Sequence, residues 1–358
     1  MRDTLLHFSA RIASPPARRY GPAPSLQKSR AVNLAAPHLP GHNRPRNPGV
    51  ALDTAAFEGV GVNASAVERR AATLMARRSV KKDFQAAWLV QALTCIDLTT
   101  LSGDDTPSRV RRLCAKARRP LSEDLLAALG LEANPPKVGA VCVYPTMVAP
   151  AVKALEGSGV PVASVATGFP SGLAPLPLRL AEIRYCVGEG AGEIDIVISR
   201  ALVFERNWSQ LYDEIAAMRE ACGAAHMKAI LATGELKTFR NVYAASQVAM
   251  QAGADFIKTS TGKEDVNATL PVSLVMLRAL RDYREATGFE IGFKPAGGIR
   301  SAKDAVNWLI LMREEVGLSW TRNDLFRYGA SGLLTDIERQ LEHWATGRYS
   351  ATYRHAMS

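Results

Sequence analysis

The chain has 358 residues, 47% hydrophobic and 22% charged, room for one large domain or two ordinary ones, and no apolar run reaches the roughly eighteen residues of a membrane span or reads as a secretory signal. The net charge of +10 points towards nucleic acid, but residues 1–50 hold Arg2, Arg11, Arg18, Arg19, Lys28, Arg30, Arg44 and Arg46 against Asp3 alone, and the remainder is almost balanced. The five cysteines (Cys95, Cys114, Cys142, Cys186, Cys222) form no C-x-x-C pair, which leaves no sign of a disulfide framework or thiolate metal site; they are expected to be reduced and mostly buried.

Residues 1–50 also carry eight of the twenty prolines, a density that sustains neither helix nor ladder, so a disordered tail is expected. A solvated tail, an organellar transit peptide and a weak anion-binding arm all fit this composition, as does a start codon set too far upstream. The favoured location is the cytoplasm, with a mitochondrial transit peptide as the alternative. Residues 51–87 form a helical extension, with a helix predicted over 65–75, Ser65 as its N-cap and Glu68 completing a capping box. This extension is expected to pack on the outside or bottom of the domain that follows.

From residue 88 to 346, short runs rich in Val and Ile alternate with longer stretches of helical period. The runs are 93–99, 138–144, 161–167, 193–198, 227–233, 255–260, 291–296 and 326–331. Eight βα units predict an α/β fold, a (β/α)8 TIM barrel, with an open doubly wound sheet as the alternative. Residues 347–358 are left as a C-terminal tail.

Alternation along a barrel strand assigns each side chain to the interior or to the helices. In 193–198, Ile194, Ile196 and Ile198 form the helix-facing row, which sends Asp195 inward. The same alternation sends Asp97, Lys258 and Lys294 inward. A lone buried lysine is often an ion-pair partner, but Lys258 and Lys294 fall late on consecutive strands, which sets their ammonium groups roughly 6 Å apart. At an effective dielectric of about 20 the repulsion is roughly 3 kcal/mol, or about two pKa units, and desolvation acts the same way. One amine brought towards about 7.5 suits a Schiff-base nucleophile, and the residues alone leave open which lysine it is. Asp195 then serves as counter-ion or as proton carrier through a water.

A phosphate site is indicated independently. Ala296-Gly297-Gly298-Ile299-Arg300-Ser301 and Gly329-Ala330-Ser331-Gly332 each end a strand and open a helix, at the two loops where barrels commonly bind phosphate. Thr261, Gly262 and Lys263 add a hydroxyl, an amide and a cation at the same edge. Of the histidines only His226 falls within the strands, at the end away from the mouth. No metal site and no cofactor are expected.

The segments Phe256-Ile257-Lys258-Thr259-Ser260-Thr261-Gly262-Lys263 and Gly292-Phe293-Lys294-Pro295-Ala296-Gly297-Gly298-Ile299-Arg300 resemble the two lysine segments of the deoxyribose-phosphate aldolase family. Further matches run from Ile96-Asp97-Leu98-Thr99-Thr100-Leu101 to Phe326-Arg327-Tyr328-Gly329-Ala330-Ser331, so the resemblance covers about residues 88–340. It implies a metal-independent class I aldolase for 2-deoxy-D-ribose 5-phosphate, with Lys258 forming the Schiff base, Lys294 lowering its pKa and Asp195 moving protons. It also implies Gly262, Gly297, Gly298 and Ser331 near the phosphate, and Asp97, Thr99 and Cys142 lining the pocket. Three departures stand out: Gly332 where members often have a second serine, Ala232 where some carry Glu, and Tyr349 and Tyr353 in a C-terminal tail that continues to Ser358. The expected partner is a small phosphosugar, with no nucleic acid and no membrane, and self-association is left open. The rivals are a Schiff-base aldolase for another phosphosugar and a binder of anionic polymer through the basic arm.

Overall fold

The computed structural model describes residues 44–355. Eight parallel strands follow one another around a nearly closed barrel: β1 Ile96–Thr99, β2 Ala140–Val143, β3 Val162–Val165, β4 Glu193–Val197, β5 His226–Ile230, β6 Phe256–Lys258, β7 Gly292–Lys294 and β8 Tyr328–Ala330. The seam between β7 and β8 is closed by bridges from Phe293 to Phe326 and from Ala296 to Gly329. The fold is therefore the expected (β/α)8 barrel. Three helices precede β1: α1 Ala55–Glu58, α2 Ala64–Arg77 and α3 Lys82–Thr94. The others are α4 Pro107–Arg118, α5 Glu123–Leu129, α6 Val148–Leu155, α7 Leu176–Gly188, α8 Arg200–Phe204, α9 Trp208–Ala221, α10 Phe239–Gln251, α11 Leu270–Thr287, α12 Ala302–Glu315 and α13 Leu333–Thr346.

The alternation of apolar residues produces two separate cores. Ile194, Ile196, Met227, Ala229, Ile257 and Phe293 pack outward against the helices in one continuous cluster. Inside the barrel, Ala140, Cys142, Ala163 and Val165 form a second, small one. Two inward positions require glycine: a Cβ at Gly292 would lie 2.3 Å from the Phe256 ring, and one at Gly329 would lie 2.7 Å from the Ala296 Cβ and 3.4 Å from the Lys294 stem.

Several boundaries differ from the sequence reading. The apolar run 93–99 is split, because Leu93 and Thr94 finish α3 and only Ile96–Thr99 is extended. The boundary drawn at residue 88 thus falls inside a helix. The helix expected over 65–75 is α2, and its cap is Asn63, whose side chain accepts from the Ala66 amide at 3.0 Å. Asparagine caps as well as serine, so the helix starts a residue before Ser65, and Ser65 and Glu68 are not its capping box. α2 packs on α11 and α12, and α3 on α12 and α13, which sets this extension outside the barrel wall. Phe57 of α1 is buried edge-on against Trp208, with ring centroids 5.4 Å apart, a contact worth about 2 kcal/mol of transfer free energy.

Residues 44–50, expected as the end of a disordered tail, are instead fastened across the closed end of the barrel; residues 1–43 lie outside the described residues. Arg44 meets Glu290 at 2.5 Å and Asp324 at 2.7 Å, and Arg46 meets Asp255 at 2.5 Å. The Asn47 amide donates to the Met250 and Ala254 carbonyls at 2.7 and 3.0 Å. Composition hid this because the acids lie 209, 246 and 280 residues further along the chain. At the other terminus, the Tyr349 ring stacks on His343 at 4.1 Å and Arg354 pairs with Glu342 at 2.7 Å. α13 starts at the mouth and runs back towards the closed end, so Tyr349 lies far from the mouth. No described helix is long and apolar enough to cross a membrane.

Candidate active site

The barrel interior has an apolar face on β2 and β3 and a charged face elsewhere. Asp97 on β1, Glu193 and Asp195 on β4, Lys228 on β5, Lys258 on β6, Lys294 on β7 and Arg327 just before β8 are all buried. Lys258 and Lys294 are register partners on adjacent strands. Both donate to the same oxygen, Asp195 Oδ2, at 2.7 and 2.8 Å. Lys294 also reaches Asp97 Oδ2 at 2.5 Å. Lys228 reaches Glu193 Oε2 at 2.5 Å and Asp195 Oδ1 at 2.9 Å, with Asp97 Oδ2 at 3.8 Å. Arg327 donates to Asp97 at 2.6 Å and to Glu193 at 3.0 Å.

Four cations thus share three carboxylates, and the sharing sets their protonation. Burial works to raise the Asp195 carboxyl, but Lys228, Lys258 and Lys294 outweigh it and hold the group well below the usual range. Asp97 is lowered in the same way, burial being outweighed by Lys294, Arg327 and Lys228. Burial likewise works against the charge on Lys294 and Lys228. Asp195 and Asp97 overcome it for the first, Asp195 and Glu193 for the second, and both pKa values rise. Lys258 goes the other way. Burial lowers it, Asp195 opposes, and Lys294 adds to the fall. Its one carboxylate is shared with two other lysines, so Lys258 is the cation that loses its proton most readily. The expected crowding by Lys294 is present, with desolvation the larger cause.

A cavity of about 400 Å³ opens above the cluster, and Lys258 borders it. Thr99 and Leu101 line one side; Thr261, Gly262 and Lys263, then Gly297, Gly298 and Arg300, then Ser331 and Gly332 make the rim. Asp97, Asp195, Cys142 and Lys294, expected at or near the pocket, lie beneath it and do not line it. Asp97 anchors Lys294 and Arg327, and burial pushes the Cys142 thiol up, which keeps it neutral beside the lysines. Gly262, Gly297 and Gly298 have φ of 85°, 80° and 82°, in the left-handed region that keeps the rim free of side chains. The Thr261 hydroxyl and the Thr261 and Gly262 amides donate to the Glu264 carboxylate at 2.8, 3.0 and 3.1 Å. Lys263 Nζ donates to the Leu101 carbonyl at 3.1 Å.

A model of the DeoC/LacD family of aldolases matches residues 91–325. The chain belongs to the DeoC/LacD aldolase family. It is 59% identical to a deoxyribose-phosphate aldolase of Homo sapiens over 319 residues, 88% of this chain and 99% of that one. The corresponding protein of Mus musculus is 59% identical over 312 residues, covering 87% and 98%. A solved tetrameric deoxyribose phosphate aldolase from Aeropyrum pernix, at 23% identity and a TM-score of 0.54 over 78% of this chain and 99% of that one, shares the fold.

Five residues at or under this aldolase's cavity were missed in the sequence. Lys228 and Glu193 carry the signal that revealed the others: Met227 and Ala229 face the helices, so Lys228 points inward, and Glu193 shares a row with Asp195. Arg327 falls in the inward row of Gly329, but β8 is only three residues long. Arg300 lay within the glycine loop without being singled out. Glu264 carried no signal, because its role depends on a turn that returns its carboxylate to amides two and three residues earlier. Among the described residues, no group of His, Cys, Asp and Glu is arranged to hold a metal ion.

Proposed function

We propose that this aldolase cleaves 2-deoxy-D-ribose 5-phosphate reversibly to acetaldehyde and D-glyceraldehyde 3-phosphate through a Schiff base on Lys258. The observation that carries this reading is one cavity with the least protonated amine of the cluster at its floor and bare loop amides at its rim. The human and mouse relatives bear the name of that reaction.

The neutral Lys258 amine attacks C1 of the open-chain aldehyde, and the carbinolamine loses water to give a protonated imine. The C3 hydroxyl gives up its proton, the electrons of the C2–C3 bond move into the iminium, and C3 departs as the carbonyl of glyceraldehyde 3-phosphate. The enamine left on Lys258 takes a proton at C2. One water then hydrolyses the imine, releasing acetaldehyde and restoring the amine. Asp195 Oδ2 touches the Nζ atoms of both Lys258 and Lys294, so it passes protons between them while remaining a carboxylate at rest.

At the rim the two helix starts differ. α12 is already closed by a capping box between Ser301 and Asp304. α13 begins at Gly332 with no side-chain cap, so its first amides are free for phosphate. Arg300 and Lys263 add positive charge, whereas Glu264 already occupies the amides of Thr261 and Gly262. The phosphate therefore rests mainly on Gly297, Gly298 and the start of α13.

The test is acetaldehyde release from 2-deoxy-D-ribose 5-phosphate, read through a coupled alcohol dehydrogenase, beside a panel of ketose phosphates. Rapid release with slow turnover of the panel is expected. Faster cleavage of a ketose phosphate would transfer the activity to another phosphosugar.

A further inference from the structure

Lys228 has no step in the reaction above, yet it is fully buried within reach of three carboxylates. A buried ammonium has three donors to satisfy, so several acceptors alone would suit a structural lysine; the charge count is what sets Lys228 apart. Each carboxylate that Lys228 reaches already has another cation: Lys258 and Lys294 on Asp195, Lys294 and Arg327 on Asp97, Arg327 on Glu193. Without Lys228, three cations would face three carboxylates and every positive charge, that of Lys258 included, would be compensated in place. With it, one positive charge is in excess. Arg327 does not release its proton, and Lys294 holds two carboxylates.

We propose that Lys228 is a positioning residue that makes Lys258 the reactive amine, by anchoring Asp195 Oδ1 and by supplying the surplus charge that only Lys258, bordering the cavity, is free to shed. The proposal rests on Lys258 being the Schiff-base lysine. Lys228 sits deeper in the barrel, because its register partner on β6 is Phe256, two residues before Lys258; substrate at the mouth meets Lys258 first. The groups around Lys258 are Asp195 from β4, Lys294 from β7 and the neutral Cys142 thiol from β2. Around Lys228 they are Glu193 and Asp195 from β4, Asp97 from β1 and Lys294 from β7, with Arg327 acting through the shared carboxylates. β3 contributes only the apolar Ala163 and Val165.

Lys228→Met removes a cation, which stabilises protonated Lys258, so a higher pH is needed to free the amine. The acid limb of kcat/KM is expected to move up by about one to two pH units, with at least a tenfold loss at neutral pH and recovery at high pH. Lys228→Met combined with Glu193→Gln removes one charge of each sign, restores the surplus and returns the limb towards its original position. A structural lysine would instead lower activity at every pH and leave the limb in place; a folded Lys228→Met enzyme with an unmoved limb overturns the proposal. Absence of turnover in the unaltered enzyme would instead refute the aldolase reading on which it rests. If circular dichroism shows that the variants do not fold, 15Nζ NMR of the intact enzyme decides: Lys228 keeps its proton across the range in which Lys258 titrates, and Lys228 titrating first overturns the proposal.

Discussion

The two ends of the barrel use the same ion pairs to different effect. At the closed end, Arg44 and Arg46 meet Glu290, Asp324 and Asp255 in partly buried pairs, and further arginines, Arg322 on Asp324 and Arg284 on Glu290, join from the surface. Water reaches the arginines and, Asp255 apart, their carboxylates, and their work is to hold residues 44–50 against the barrel. Beneath the mouth the pairs are sealed, every carboxylate is shared, and the positive charges outnumber the negative ones. Both ends set four cations on three carboxylates; where solvent screens the charges the surplus is tolerated and the pairs fasten a segment, whereas burying the same surplus favours the loss of a proton. On this account reactivity follows from the burial of the surplus charge more than from any single contact.

Substitutions test that contrast in order of expected effect on turnover. Lys258→Leu removes the proposed nucleophile and should lower acetaldehyde release by about ten-thousandfold or more; a variant keeping a few per cent of activity would dismiss Lys258 from the covalent step. Asp195→Asn should cost about a hundred- to ten-thousandfold. It also strips Lys258 of its only carboxylate, so the acid limb of any residual activity should move to lower pH. Lys294→Leu should act in the opposite sense on that limb. With the neighbouring cation gone and Asp195 Oδ2 left to Lys258, the proton is held more tightly, and activity, reduced by about a hundredfold, should recover only at higher pH. Limbs that moved in the same direction in these two variants would break the electrostatic explanation.

Smaller effects are expected away from the cluster. Glu264→Gln removes a carboxylate from the amides of Thr261 and Gly262, so KM for the phosphorylated substrate should fall about two- to fivefold, while turnover of unphosphorylated 2-deoxyribose is unaffected. An unchanged or raised KM would mean that phosphate does not compete with this carboxylate. Arg46→Ala should leave turnover intact and lower stability in denaturant unfolding by about 1–3 kcal/mol. A loss of activity in this folded variant would show that the two ends of the barrel are not separate.

The fold and four of the seven charged residues of the buried cluster were legible because both are written in the period of the strands. Ile194, Ile196 and Ile198 fix the outward row, and Asp97, Asp195, Lys258 and Lys294 follow by alternation. Lys228 was equally legible, but it hides in a strand whose other inward residues are unremarkable. What strand periodicity does not encode stayed invisible: the fastening of Arg44 and Arg46 depends on acids 209, 246 and 280 residues away, and the choice of Asn63 over Ser65 as a cap depends on where the chain first turns. The number of carboxylates that each amine reaches, on which the proposed choice of Lys258 rests, was also hidden, because it exists only once the barrel has closed.

The most direct measurement is borohydride trapping with acetaldehyde across a range of pH, followed by peptide mapping. A reduced adduct confined to Lys258, with half-maximal labelling well below the pH at which an ordinary lysine titrates, is the expected result. An adduct on Lys294 or Lys228, or labelling of Lys258 only in the ordinary lysine range, would contradict a buried excess of charge as the source of the reactive amine.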